Sequence, residues 1–93
     1  MIEHLLWSDA SEAKLMAHGI SRGEVVEMIT DLNYIIFESP YTNQVRVTGY
    51  TRRYRWLTLA MEELSHNTFR PITGWPATET ERQRFSRAEQ GVE

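Results

Sequence analysis

Arginine supplies nearly all the positive charge of this chain, with Lys14 and nine arginines making up its ten cations. A guanidinium group presents a planar fork that matches phosphate or carboxylate, where lysine offers only a point charge. Arg46, Arg53 and Arg55 fall on the run Gln44–Thr51 and its return, Arg70 falls on a later extended run, and Tyr50 and Tyr54 interleave with them. Arginines and aromatic rings on a sheet are one way to hold single-stranded RNA, with bases on the rings and phosphates in the forks. The same residues equally suit cross-strand pairs with glutamate on a solvated face and protection of a sheet edge.

The stretch Thr68 to Arg84 gathers ionisable groups at a corner: Arg70 on a strand, Glu81 in the first turn of the following helix, and Arg82 and Arg84 beyond it. That corner is either a site or a strand-to-helix closure with solvated charges. His18 lies at a helix end, where it reads as a proton-transfer group or as a capping cation. Trp75, set between Gly74 and Pro76, is expected outside regular structure, as a plug at the sheet end or an exposed platform.

Other chemistries find little support. His4, His18 and His66 are widely spaced and cysteine is absent, so no metal is expected. The nucleophile elbow G-x-S-x-G and the glycine loops that cradle phosphate are missing, and no cofactor is expected.

The elements that would position these groups follow from local patterns. Ile2–Trp7 reads as a first strand. Asp9 with Glu12 is expected to cap a helix from Ala10 to about His18, with Ala13, Met16 and Ala17 as its apolar stripe. Gly19 ends it, and the capping box Ser21 to Glu24 opens a second helix through about Asp31 with Val25, Val26 and Ile29 inward. Tyr34–Phe37, Gln44–Thr51, Tyr54–Met61 and Thr68–Thr73 read as strands, with Arg52 and Arg53 at a hairpin tip and Glu62–Asn67 as a turn. Gly74-Trp75-Pro76 is expected to stop the last strand, and Thr78 with Glu81 forms the capping box of a final helix anchored by Phe85. The order β-α-α-β-β-β-β-α predicts a two-layer α+β fold with a mainly antiparallel sheet, and fraying after Ala88.

Ninety-three residues suffice for one domain with its own core. No apolar run approaches the ~20 residues of a membrane span, and the N-terminus lacks the order of a signal peptide, so a cytoplasmic setting without membrane contact is expected. The net charge of −3 argues against a general nucleic-acid coat. Charge is nevertheless uneven: residues 1–44 carry −5 and residues 45–93 carry +2, which makes the second half the side to search for an anionic ligand.

Taken together, Trp7-Ser-Asp9, Lys14, His18-Gly19-Ile20-Ser21 before a helix containing Glu24, Arg46 with Gly49, Arg55-Trp-Leu57, and the closing Arg70-Pro-Ile-Thr-Gly-Trp-Pro-Ala77 with Glu81-Arg82 and Phe85 resemble the BrnT family. These are toxins of bacterial toxin–antitoxin pairs, similar in fold to RelE-type ribonucleases. The resemblance implies a metal-independent endoribonuclease held by a ribbon-helix-helix antitoxin, with a homo-oligomer possible. It places Arg46, Arg55 and Arg70 around the scissile phosphate, with His18 and Glu81 available for proton transfer as the 2′-oxygen attacks phosphorus. The interleaved arginines and tyrosines add Arg53 and Tyr50 as expected RNA contacts. The sequence departs from the family pattern in three places: Thr73-Gly74-Trp75 stand where Ser-Ala-Arg is usual, Ala17 stands for a lysine, and Phe85 for a tyrosine. Loss of two cations and a hydroxyl makes a second expectation, a catalytically silent module of the same fold that binds an antitoxin-like partner.

Overall fold

Helix caps and extended runs divide the chain into eight elements, as the computed structural model, which describes residues 1–91, lays out. In order they are β1 (His4–Leu5), α1 (Asp9–Ala17), α2 (Arg22–Thr30), β2 (Tyr34–Glu38), β3 (Gln44–Tyr50), β4 (Trp56–Ser65), β5 (Thr68–Pro76) and α3 (Glu79–Glu89). The five strands form one sheet in the order β1-β5-β4-β3-β2. The pairs β2–β3, β3–β4 and β4–β5 are antiparallel, and the short β1 runs parallel to β5. The architecture is α+β, as the element order predicts.

Alternation along the strands builds the core on one face. Val47 of β3, Leu57, Leu59 and Met61 of β4 and Phe69 of β5 are buried with Leu15, Ile20, Val25, Met28 and Ile29 from the helical corner. Arg46, Thr48 and Tyr50 alternate to the other face, where Thr48 and Thr58 share a buried hydroxyl hydrogen bond of 2.9 Å and α3 lays down Phe85. Gly74 lets α1 approach β5: a Cβ there would lie 2.7 Å from Leu59 Cδ2 and 3.0 Å from Leu15 Cδ2. Gly49 has a harder constraint, since its Cβ would fall 2.0 Å from the carbonyl oxygen of Asn33 at the entry to β2.

Several expectations need correction. Ser8, not Asp9, caps α1, its hydroxyl accepting the Ser11 N–H at 3.1 Å. The buried residues of α1 are Ser11 and Leu15, while Met16 is exposed, because the helix turns its Leu15 line toward β5. In α2, Met28 takes the inward place expected of Val26. Strand β4 runs on to Ser65, with Glu62, Glu63 and Ser65 paired to β5, so only His66 and Asn67 make the turn. Asn67 adopts a φ of 63°, which lets that turn be short.

Trp75 lies inside a regular element after all. Strand β5 continues through Gly74 to Pro76 by pairing with Leu59, Thr58 and Leu57. A register shift between Ala60 and Met61 leaves Ile72 as the extra residue beside Pro71, which pairs with Met61 and cannot donate to the ladder. Helix α3 persists to Glu89 with Gln90 as its C-cap, and the rest of the expected fraying concerns residues 92 and 93, outside the described residues.

Candidate functional site

The nominated residues occupy separate parts of the molecule. Arg55, just before β4, donates through one guanidinium nitrogen to the Gly19 carbonyl at 2.8 Å and to the Glu24 carboxylate at 2.9 and 3.0 Å. Glu24 is also the reciprocal partner of the Ser21 capping box, accepting the Ser21 N–H at 3.1 Å. Partial burial opposes the Glu24 charge, but the Ser21 backbone N–H and the Arg55 guanidinium outweigh it and hold the carboxyl below its ordinary value. Arg55 thus ties the hairpin to the α1–α2 corner. His18 sits beside that corner as the exposed C-cap of α1, its backbone N–H donating to Leu15 at 3.0 Å.

Arg70 lies on β5, beside the far end of β4. It pairs in register with Glu62 and forms an ion pair with that carboxylate, the cross-strand arrangement the sequence also allows. A cavity of about 210 Å³ beside it is lined by Ser8, Ser11, Lys14, Glu62, Arg70 and Pro71 among others, and holds no other nominated group. Residues 55 and 62 are separated by roughly 20 Å of extended strand at ~3.3 Å per residue, which sets Arg55 and Arg70 at opposite ends of the sheet.

Arg46 and Glu81 do come together, through an indole. The Arg46 guanidinium lies 5.0 Å from the centre of the Trp75 ring and 5.9 Å from that of Tyr41. Trp75 Nε1–H donates to the two Glu81 carboxylate oxygens at 3.2 and 3.3 Å, and Glu81 also accepts the Thr78 N–H at 2.8 Å. Its carboxylate is therefore committed to the α3 cap and to the strand that precedes it. Trp75 serves as the link between them.

Tyr50 enters an aromatic cluster. Its ring stacks on Tyr54 at 5.7 Å and 18°, and lies 5.0 Å from Trp56 and 6.0 Å from Phe85. Arg82 covers Trp56 at 5.0 Å and Arg84 covers Phe37 at 4.3 Å, so arginines of α3 cap rings of the sheet. The sequence reading did not single out Trp56 or Phe37 as partners of these arginines. The available signal was the spacing of Arg82 and Phe85, three residues apart on one helix face. Arg53 is exposed at the hairpin tip, where its backbone N–H donates to Thr51 Oγ1 at 3.3 Å. Neighbouring Arg52 pairs with Asp31 at 2.8 and 3.0 Å, which lowers the aspartate and raises the arginine.

In chemical terms, phosphodiester cleavage needs a base, an acid and cations around one phosphorus. Arg55 with His18, Arg70, and Arg46 with Glu81 make three groups, and the first two arginines and Glu81 already serve structural partners. A cavity of about 390 Å³ lies elsewhere, lined by Trp56, Glu79, Arg82, Gln83, Ser86 and Arg87; it takes Arg82 from the strand-to-helix corner but none of the residues expected to bind or cleave RNA. Among the described residues no three of His, Asp and Glu come together as metal ligands, and no helix is long and apolar enough to cross a membrane. No protein-family model matches the chain, and no curated protein matches it.

Proposed function

We propose that this chain is a catalytically silent, BrnT-like protein-interaction module of the cytoplasm, which binds an antitoxin-like partner and does not cut RNA. The observation that carries the reading is the dispersal of Arg55, Arg70 and the Arg46–Glu81 pair, with Arg55 and Arg70 closed on Glu24 and Glu62. A ribonuclease of the resembled kind would keep such cations open around one phosphate. Here they hold the α1–α2 corner, the β4–β5 hairpin and the α3 cap, which favours a rigid surface over a reactive centre.

The direct test is a search for a small ribbon-helix-helix protein encoded beside the gene, followed by calorimetric titration of the purified chain with it. A saturable complex of fixed stoichiometry is expected. Lack of any complex, or lack of any such neighbour, counts against the reading.

A further inference from the structure

The β3–β4 hairpin ends in a backbone conformation that its side chain does not favour. Thr51 N–H donates to the Arg55 carbonyl at 3.0 Å and Tyr54 N–H to the Thr51 carbonyl at 2.9 Å, which closes the loop with Tyr54 at a φ of 60°. Glycine or asparagine is the usual occupant of this left-handed region, and a bulky ring there adds strain. The ring is 76% exposed, so burial does not offset that strain. Its one ring contact is the stack on Tyr50, which continues through Trp56 to the Arg82 guanidinium. The result is an unbroken path of aromatic surface from the hairpin tip to the cavity along α3.

Cations without carboxylate partners border this path. Arg53, Arg82 and Arg87 have none within 4.0 Å among the described residues, whereas Arg22, Arg52, Arg55 and Arg70 are all paired. Arg82 and Arg87 line the cavity with Trp56, and Arg53 adjoins Tyr54 in the chain. Accordingly, we infer that Tyr54, Trp56, Arg53, Arg82 and Arg87 form the docking surface for an acidic peptide segment of the partner, one that covers the exposed Tyr54 ring and the half-buried Trp56 with an apolar side chain and meets the arginines with carboxylates. The inference rests on the binding-module reading and names the surface that it uses.

Charge complementarity selects this occupant over a nucleic acid strand. A strand brings a phosphate at every nucleotide and needs a continuous cationic track, but Glu79 lines the same cavity and Asp31 engages Arg52 at the tip. The chain also carries a net charge of −3, which repels a polyanion at long range more than a peptide bearing two or three carboxylates.

The test uses the full chain and three fluorescein-labelled 12-mers: an acidic amphipathic peptide of glutamate and leucine with one phenylalanine, the same peptide with lysine for glutamate, and oligo(U) RNA. Anisotropy titrations at low and moderate salt are run on the wild type, Tyr54→Gly and Arg87→Glu. Both variants change exposed side chains, and Tyr54→Gly suits the left-handed turn, so circular dichroism is expected to show them folded. The acidic peptide is expected to bind, to weaken with salt, and to lose at least about tenfold in affinity in either variant, as for an aromatic or arginine hot spot. Tighter binding of oligo(U), equal binding of the two peptides, unchanged affinity in the variants, or no binding of the acidic peptide each overturns the inference. RNA cleavage by the wild type overturns the binding-module reading instead, and is scored separately on a gel.

Discussion

Replacing Arg55 by alanine separates a structural arginine from a catalytic one. The wild-type side chain makes charge-assisted contacts with the Gly19 carbonyl and the Glu24 carboxylate, which also closes the α2 capping box. Hydrogen bonds to charged groups contribute about 1.5–3 kcal/mol each when well buried. Here the side chains are 37% and 24% exposed, so water replaces part of what is lost. Screening lowers the expected cost of Arg55→Ala to ~1.5–2 kcal/mol, still above the ~1 kcal/mol ceiling of an ordinary surface pair. For a domain of this size that is a fall of about 6–16 °C in Tm, read by circular dichroism and checked by urea unfolding. Arg55→Lys keeps the charge but loses the fork, and is expected to fall between. In a double-mutant cycle with Glu24→Gln the double variant should lose less than the sum of the two single losses, because both changes break the same contact. An Arg55→Ala protein as stable as the wild type would refute the structural role of Arg55 and return it to the pool of free phosphate ligands.

Three further outcomes follow from the same contacts. Gly49→Ala is expected to destabilise by at least about 3 kcal/mol, the upper range of overpacking, because its Cβ meets backbone that cannot change rotamer, while Gly74→Ala meets mainly side chains and should cost less; urea midpoints give the order. Glu24 titrates lower in the folded chain than its ordinary value of 4.5, so its stabilisation is complete above that pH and is lost as pH falls through the lower folded value. Thermal unfolding followed as pH is lowered through and below the ordinary carboxylate range should therefore show a slope that Glu24→Gln flattens, with Asp31, shifted in the same direction, supplying part of the remainder. Arg70→Ala should change stability by no more than ~1 kcal/mol, since its pair with Glu62 is exposed, and a larger loss in the urea midpoint would contradict that account.

Local chemistry was the legible part of this fold. The Ser21–Glu24 and Thr78–Glu81 boxes each bind residues three apart, so the sequence alone places α2 and α3. The valines of β3 share one face as expected, Val47 in the core and Val45 packed against it, while Thr48 on the opposite face is buried too. Tertiary context decided the rest. Met16 and Leu15 are equally apolar, and only the approach of α1 to β5 through Gly74 selects Leu15. Trp75 and Pro76 look like a stop until β4 offers Thr58 and Leu57 as partners.

The candidate site was legible as residue types but not as geometry. Arg55 finds its carboxylate 31 residues away and Arg70 finds its own 8 residues away, so neither pairing leaves a local mark. Glu81 was read in two ways, as a cap and as a proton-transfer group, and the cap is what its contacts describe. The strain at Tyr54 was invisible, because nothing in Arg53-Tyr54-Arg55 signals a left-handed φ.

Incubation of purified, partner-free chain with a long unstructured RNA in EDTA tests the central claim most directly, with Arg70→Ala and Arg46→Ala proteins alongside. The account predicts intact RNA in all three, with each protein folded by circular dichroism. Cleavage by the wild type that either substitution abolishes would contradict it, and would mean that the arginines leave their present partners to gather around a phosphate.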